Sequence, residues 1–197
     1  MIIVILIAVL FGTSHDACVT RYPHRAPESG RRYFNTFDSL FERVGLERNI
    51  APGLLKAIAW CETRLDPCSV SSAGAQGLMQ FMPSTFETVS AAANASDPFE
   101  PEHAVRSAGV YVAALVNYFG GRLDAVVASY NAGPAAVDRA IRRGHTIPAI
   151  AETQAYVGCV LGAFSHFGGP QRVRSSDASW LTDLVSLFRS PTSGSAR

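Results

Sequence analysis

The chain has 197 residues and a formal net charge of +1, with 48% hydrophobic and 17% charged residues. This length fits one domain of ordinary size with short extensions. A charge so close to zero argues against a nucleic-acid-binding protein, which usually carries a basic excess. The apolar content argues against a largely disordered chain.

The chain begins with an unbroken apolar run, MIIVILIAVLFG. It is shorter than the ~20 residues of a membrane-spanning helix and suits the apolar region of a secretory signal, although no Lys or Arg precedes it. We therefore predict an export signal or N-terminal membrane segment over residues 1–17, with a buried helix or strand as the alternative. Residues 18–33 hold Pro, Ser, Gly and Arg without periodicity and predict an exposed linker.

The four cysteines fit an exported, periplasmic or envelope-associated protein, because disulfides persist in oxidising compartments. Cys61 and Cys68 flank a predicted helix end and are the candidate disulfide. Cys18 is then left over, and Cys159 lies on an apolar helix face as a buried free thiol. The five histidines match no ligand spacing, so we predict no metal site and no cofactor.

The remaining elements are predicted to be helices, with no convincing strand and no repeat. Apolar periodicity and Pro, Gly and Ser signals place them as follows: 36–44, 52–65, a helix from Ser84, 105–119, 123–130, 134–143 and 152–167. Together they form one compact multi-helix domain over residues 34–168. The tail, 169–197, is Ser- and Arg-rich and is predicted to be flexible, with an amphipathic helix over 180–188 that docks on its own domain.

Glu62 occupies an unusual position for a carboxylate. It follows Ile58 by four residues and precedes Leu65 by three, so it projects from the apolar stripe of its helix. Burial disfavours the charged form of a carboxyl group, and a glutamate that keeps its proton near neutral pH can serve as a general acid. The alternative is a structural glutamate that pairs with an arginine or with backbone amides.

Glu152 repeats this pattern at the start of the last helix, where complementing the helix dipole is the simpler explanation. The loop SSAGAQGLMQ is small, polar and Gly-rich, so its backbone can approach a ligand closely. Tyr130 and Asn131 lie at a helix end beside a glycine. Amides, an aromatic ring and two buried carboxylates suit a saccharide, although amides and apolar surfaces also suit a peptide groove.

Four segments, in this order, carry a family resemblance: AIAWCETRLDP, SSAGAQGLMQFMPST, ASYNAGPAAV and ETQAYV. They resemble the catalytic domain of soluble-type (family 1) lytic transglycosylases, in the lysozyme-like superfamily, over about residues 36–167. The resemblance implies a mainly α fold of the α+β lysozyme-like superfamily, with a cleft. One departure is Thr63, which replaces the serine that usually follows the catalytic glutamate.

The resemblance also implies a mechanism on the glycan strands of peptidoglycan. Glu62 would protonate the glycosidic oxygen between N-acetylmuramic acid and N-acetylglucosamine and then, as a base, accept a proton from the muramoyl C6 hydroxyl, giving a 1,6-anhydro product. Tyr130 would hydrogen-bond Glu62 or the substrate. The substrate-binding residues implied in this way are Thr63, Ser71, Gln80, Met82, Tyr130, Asn131, Glu152 and Tyr156.

Two alternatives stay open: a lysozyme-type hydrolase and a non-catalytic glycan-binding assembly protein. The expected role is local opening of the cell wall, with an envelope-spanning secretion or pilus complex as a candidate partner.

Overall fold

A computed structural model describes residues 14–168, which fold into nine helices joined by loops. The helices are α1 Ser14–Arg21, α2 Glu28–Arg32, α3 Asp38–Arg48, α4 Pro52–Thr63, α5 Pro83–Ala93, α6 Pro101–Tyr118, α7 Leu123–Ala132, α8 Pro134–Arg142 and α9 Ala151–Phe167. Extended pairing in this range is limited to two isolated bridges, which join Gln76 to Val70 and to Phe81. The predicted mainly α fold is confirmed.

Helix α6 forms the centre of the core. Between Ala104 and Leu115 every residue except Arg106 is buried, as expected for a helix that is covered on all sides. Helices α3, α5 and α7 pack against α6, while α4 packs against α3 and α9. Helix α9 also contacts α7, so α9 has both α4 and α7 as neighbours.

Local signals explain where the helices begin and end. Helices α4, α5, α6 and α8 each begin at a proline, whose fixed φ and missing N–H suit the first helical turn. Helix α3 ends at Asn49 and α4 at Arg64, both in the left-handed conformation. The predicted helices are confirmed with shifted ends: α3 covers Asp38–Arg48, and α4 stops at Thr63 because both Arg64 and Leu65 adopt positive φ.

The prediction of an exposed linker over residues 18–33 is wrong. Helices α1 and α2 occupy most of this segment, and it packs on the loop that follows α4. Ser29 donates to the carbonyl oxygen of Arg64 over 2.9 Å, and Arg25 pairs with the buried Asp66 at 2.9 Å. The polar composition that predicted a linker is therefore used in specific contacts with the domain.

The predicted Cys61–Cys68 disulfide is also wrong, as is the free thiol at Cys159. Cys61 is bonded to Cys159, with 6.1 Å between their Cα atoms, and Cys68 is bonded to Cys18, with 5.7 Å between theirs. The left-handed residues at the end of α4 turn the chain toward the N-terminal segment, so Cys68 meets Cys18 in α1. Cys61 lies within α4, which packs on α9.

The predicted signal run and the tail, including its amphipathic stretch, lie outside the described residues apart from positions 14–17, which belong to α1. No helix within residues 14–168 combines the length and the apolar character needed to span a bilayer.

Candidate active site

The last turn of α4 places Glu62 beside a cleft. The helix buries Leu54, Leu55 and Ile58 completely, which fixes its rotation in the core. Leu65 is also fully buried and anchors the chain reversal that follows. Glu62 is half-buried, in agreement with its position on the apolar stripe.

Burial raises the pKa of Glu62 from 4.5 to about 7, because the protein around the carboxyl group excludes water. The Tyr156 hydroxyl acts in the opposite direction, since it favours the carboxylate, and the charge of Glu152 adds to the rise. Glu62 therefore holds a proton in a large fraction of molecules at neutral pH, which a general acid requires.

Tyr156 approaches Glu62 from α9. Its hydroxyl is buried, and no described residue meets full hydrogen-bond geometry with it, but it lies close enough to Glu62 to favour the carboxylate form. Burial raises the pKa of Tyr156 well above its ordinary value, and the charge of Glu62 adds to this. Tyr156 is thus a neutral dipole beside the acid.

The loop between α4 and α5, residues 64–82, forms one wall of the cleft and is called the loop wall below. Hydrogen bonds between its own polar groups stabilise it. The Gln80 amide nitrogen donates to the carbonyl oxygens of Ser69 and Gly77, at 3.2 and 3.0 Å. Ser71 Oγ accepts from the Ala75 N–H at 2.9 Å. Gln80 has a positive φ of 50°, and none of the residues 14–168 donates a hydrogen bond to its Oε1.

Three aromatic rings line the cleft behind this loop: Phe81, Tyr111 and Tyr130. Their centroids are 5.6 to 6.4 Å apart, a separation at which tilted aromatic pairs are favourable. The Tyr130 hydroxyl donates to the carbonyl oxygen of Met79 over 2.9 Å. Its single proton is used there, so the expected hydrogen bond from Tyr130 to Glu62 is absent.

Glu152 is exposed, which corrects the expectation of a second buried carboxylate. It lies in the first turn of α9, where helix geometry leaves its side chain at the rim. Asn131 donates to Glu152 Oε1 at 3.4 Å and accepts from the Thr153 hydroxyl at 2.8 Å. This network joins the end of α7 to the start of α9 beside the cleft.

The cleft has a volume of about 450 Å³. It brings together seven of the predicted site residues, which are Glu62, Ser71, Gln80, Met82, Tyr130, Asn131 and Glu152. Its lining also includes residues that sequence reasoning did not select, which are Ala73, Ala75, Phe81, Thr85, Tyr111, Ala132 and Gly133.

Two predicted substrate-binding residues, Thr63 and Tyr156, do not line this cleft. Thr63 is only 4% exposed, and its hydroxyl lies 3.1 Å from the carbonyl oxygens of Ala59 and Leu78. It therefore connects the helix end to the loop wall. Tyr111 could have been found from its spacing in α6. It follows the buried Ala108 by three residues and precedes the buried Leu115 by four, which places it on the buried side of the helix.

Residues 39–150 match the model of the family described as the transglycosylase SLT domain. The chain belongs to this family. The match spans most of the helical domain and includes Glu62, the loop wall, Tyr130 and Asn131. Glu152 and Tyr156 lie just beyond its end.

Named relatives of this SLT-domain protein include two transglycosylases. It is 29% identical over 168 residues, 76% of its length, to the soluble lytic murein transglycosylase of Salmonella typhimurium. It is 30% identical over 100 residues, 49% of its length, to the peptidoglycan transglycosylase gp16 of Escherichia phage T7. The chain spans only 26% of the first protein and 8% of the second.

Solved structures agree with the lysozyme-like fold. The 70 kDa soluble lytic transglycosylase of Escherichia coli aligns with a TM-score of 0.59 at 30% identity, over 66% of this chain and 24% of that one. A complex of the 70 kDa soluble lytic transglycosylase with bulgecin A aligns with a TM-score of 0.60 at 28% identity, over 72% and 26% of the two chains. An inactive mutant of the Pseudomonas aeruginosa lytic transglycosylase Slt aligns with a TM-score of 0.61 at 26% identity, over 66% of this chain and 23% of that one.

Proposed function

We propose that this SLT-domain protein is a peptidoglycan lytic transglycosylase with Glu62 as its catalytic acid and base. The observation that carries the proposal is the half-buried carboxyl group in the cleft, whose pKa burial raises to about 7. A carboxyl group poised near neutral pH exchanges its proton in both directions at small cost. The murein and peptidoglycan transglycosylases among its relatives support this substrate class.

In the proposed reaction Glu62 gives up one proton and later receives one. Glu62 donates its proton to the glycosidic oxygen between N-acetylmuramic acid and N-acetylglucosamine, and the C1–O bond breaks. The muramoyl C6 hydroxyl forms the new bond to C1 and gives its proton to the Glu62 carboxylate. The product is a 1,6-anhydro sugar, no water is consumed, and the glutamate is protonated again.

The glycan strand is held mainly by uncharged groups. Gln80 Oε1 is free to accept from a sugar hydroxyl or N-acetyl N–H, and Met82 offers an exposed apolar surface. Tyr130 presents its ring to the cleft while its hydroxyl is tied to the loop wall. Ser71 and the Asn131–Glu152 pair contribute polar contacts along the cleft.

Product analysis separates this reaction from the alternatives. Purified peptidoglycan sacculi are digested with the parent protein and with Glu62→Gln, which keeps the side-chain shape but cannot donate a proton. We expect 1,6-anhydromuramoyl ends by mass spectrometry with the parent, and a loss of cleavage by a factor of about 10²–10⁴ with the variant. Reducing muramic ends would show a hydrolase instead, and cleavage by Glu62→Gln at the parent rate would refute the assignment of the acid.

We further propose that the protein works in an oxidising compartment, periplasmic or envelope-associated. The support is that all four cysteines are paired in two disulfides, which the reducing cytosol does not sustain. We also propose that the catalytic unit begins before residue 34, because α1 is bonded to the loop after Glu62 through Cys18–Cys68 and α2 contacts it through Ser29. A secretion or pilus complex as partner stays a prediction.

A further inference from the structure

We propose that the Cys61–Cys159 disulfide is a positioning element for catalysis, which holds α4 against α9 so that Glu62 stays shielded from water and beside Tyr156. The proposal rests on the proposed role of Glu62 as the acid. Cys61 immediately precedes Glu62 in α4, and Cys159 follows Tyr156 by three residues in α9. The bond therefore joins the two helices at the catalytic position itself.

The spacing along α9 puts the relevant groups on one stripe. Glu152, Tyr156 and Cys159 are separated by four and three residues, so their side chains point to the same side of the helix. Cys159 is bonded to Cys61, so this stripe faces the end of α4, and both Tyr156 and Glu152 influence the pKa of Glu62. Any change in the distance between the two helices changes the surroundings of Glu62 directly.

Apolar packing joins α4 and α9 at the start of α4 and again in its last turn. At the start of α4, a Cβ on Gly53 would lie 3.0 Å from the Phe167 carbonyl oxygen at the end of α9. In the last turn of α4, Trp60 contacts the same residue, with the ring centroids 6.2 Å apart. Next to Glu62, the half-buried Cys61 and Cys159 add a covalent link to this packing. The disulfide therefore fixes the separation of the two helices at the position of the acid.

The groups around Glu62 determine what loosening this attachment does. Helix α9 contributes Glu152 and Tyr156, and α7 contributes Tyr130, whose hydroxyl is tied to Met79. Directly after α4, Arg64 is exposed and lies over the Trp60 ring at 4.7 Å. Burial is the main reason for the raised pKa of Glu62, so water entering between α4 and α9 lowers that pKa toward its ordinary value.

The test uses a background in which only this bond can form. Cys18→Ser/Cys68→Ser removes the other disulfide, which ties the loop after Glu62 to α1 and not to α9. The rate of cleavage of solubilised glycan strands is measured against pH for the oxidised, dithiothreitol-reduced and reoxidised protein. We expect reduction to move the alkaline limb of kcat down by at least about one pH unit, with about a tenfold loss of kcat at pH 7.5 and little change in KM. Reoxidation restores the profile.

A second variant makes the same comparison without a reductant. Cys61→Val/Cys159→Ala refills the volume of the bridge with apolar atoms and is expected to show the same downward shift. Circular dichroism at the assay temperature checks that each form is folded. An unshifted pH profile in a folded form without the bond overturns the proposal, even if the melting temperature falls, because the bond would then act on stability alone.

A parallel measurement on oxidised Glu62→Gln separates this result from a failure of the proposed function. If Glu62→Gln is inactive and reduction leaves the pH profile of the parent unshifted, only the positioning role of the disulfide is overturned. If Glu62→Gln cleaves at the parent rate, the proposed acid is wrong, and the positioning proposal falls with it.

Discussion

The hydroxyl of Thr63 lies 3.1 Å from the carbonyl oxygen of Leu78, which joins the residue after Glu62 to the loop that forms one wall of the cleft. The same hydroxyl lies 3.1 Å from the carbonyl oxygen of Ala59, one turn earlier in α4. The helix end and the loop wall are therefore coupled through one buried side chain. This contact gives the Thr63 hydroxyl a structural role at a position that does not itself reach the cleft.

Replacing Thr63 by valine tests this coupling. Valine has nearly the same shape but no donor, so we expect a loss of about 1–3 kcal/mol in the free energy of unfolding, measured by urea denaturation, together with slower cleavage of sacculi. Thr63→Ser is the matched control, because it keeps the donor and loses one methyl group, at a cost of about 0.5–1.5 kcal/mol. Equal activity and stability in the valine and serine variants would contradict the role of the hydrogen bond.

The loop wall itself depends on Gly77. This residue has a φ of 74°, and a Cβ there would lie 1.9 Å from the Pro98 carbonyl oxygen. We expect Gly77→Ala to lose about 1–2 kcal/mol from its backbone conformation and about 1–3 kcal/mol more from the overlap with backbone atoms. Gly74→Ala is the control, since its φ is 88° but nothing lies within 4 Å of a Cβ. Thermal denaturation that ranks the two variants equally would count against this explanation.

The position of Glu62 could be predicted because it depends on short-range periodicity. Its spacing from Ile58 and Leu65 specifies which side of a helix it occupies, and a helix with so many apolar residues has to bury that side. The motif segments likewise located the loop wall and Tyr130. These signals act within one helix or one loop, where sequence distance and spatial distance agree.

The pairing of the cysteines and the exposure of Glu152 could not be predicted from short-range periodicity. The two bonds join residues 98 and 50 positions apart, and their pairing follows from how α4 packs on α9 and where the chain turns after Arg64. The exposure of Glu152 depends on how far the first turn of α9 extends past the core. Tyr130 was placed correctly, but the partner of its hydroxyl depends on the path of the loop at Met79.

Tyr156 and Tyr130 are expected to differ when their hydroxyls are removed. The Tyr156 hydroxyl has no hydrogen-bond partner among the described residues and lowers the pKa of Glu62. In the parent we expect the alkaline limb of kcat near pH 7, set by Glu62. Tyr156→Phe should therefore move this limb to higher pH without changing the melting temperature. Tyr130→Phe removes the bond to Met79 and should cost about 1–2 kcal/mol. A larger loss of stability in Tyr156→Phe than in Tyr130→Phe, measured by calorimetry, would contradict the roles given to both hydroxyls.

The free energy of unfolding should also depend on pH through Glu62. Its pKa is about 7 in the folded protein, against 4.5 for the ordinary carboxyl group, so between these values the folded chain binds more protons than the unfolded chain. Stability then falls as the pH rises through this window and levels off above it. Relative to the parent, Glu62→Gln should gain on the order of 2–3 kcal/mol between pH 4.5 and pH 7.5, because an amide does not titrate. Urea denaturation at both pH values measures the free energy of unfolding of the parent and the variant. If the difference between the two proteins is the same at both pH values, the Glu62 carboxyl group titrates normally in the folded protein.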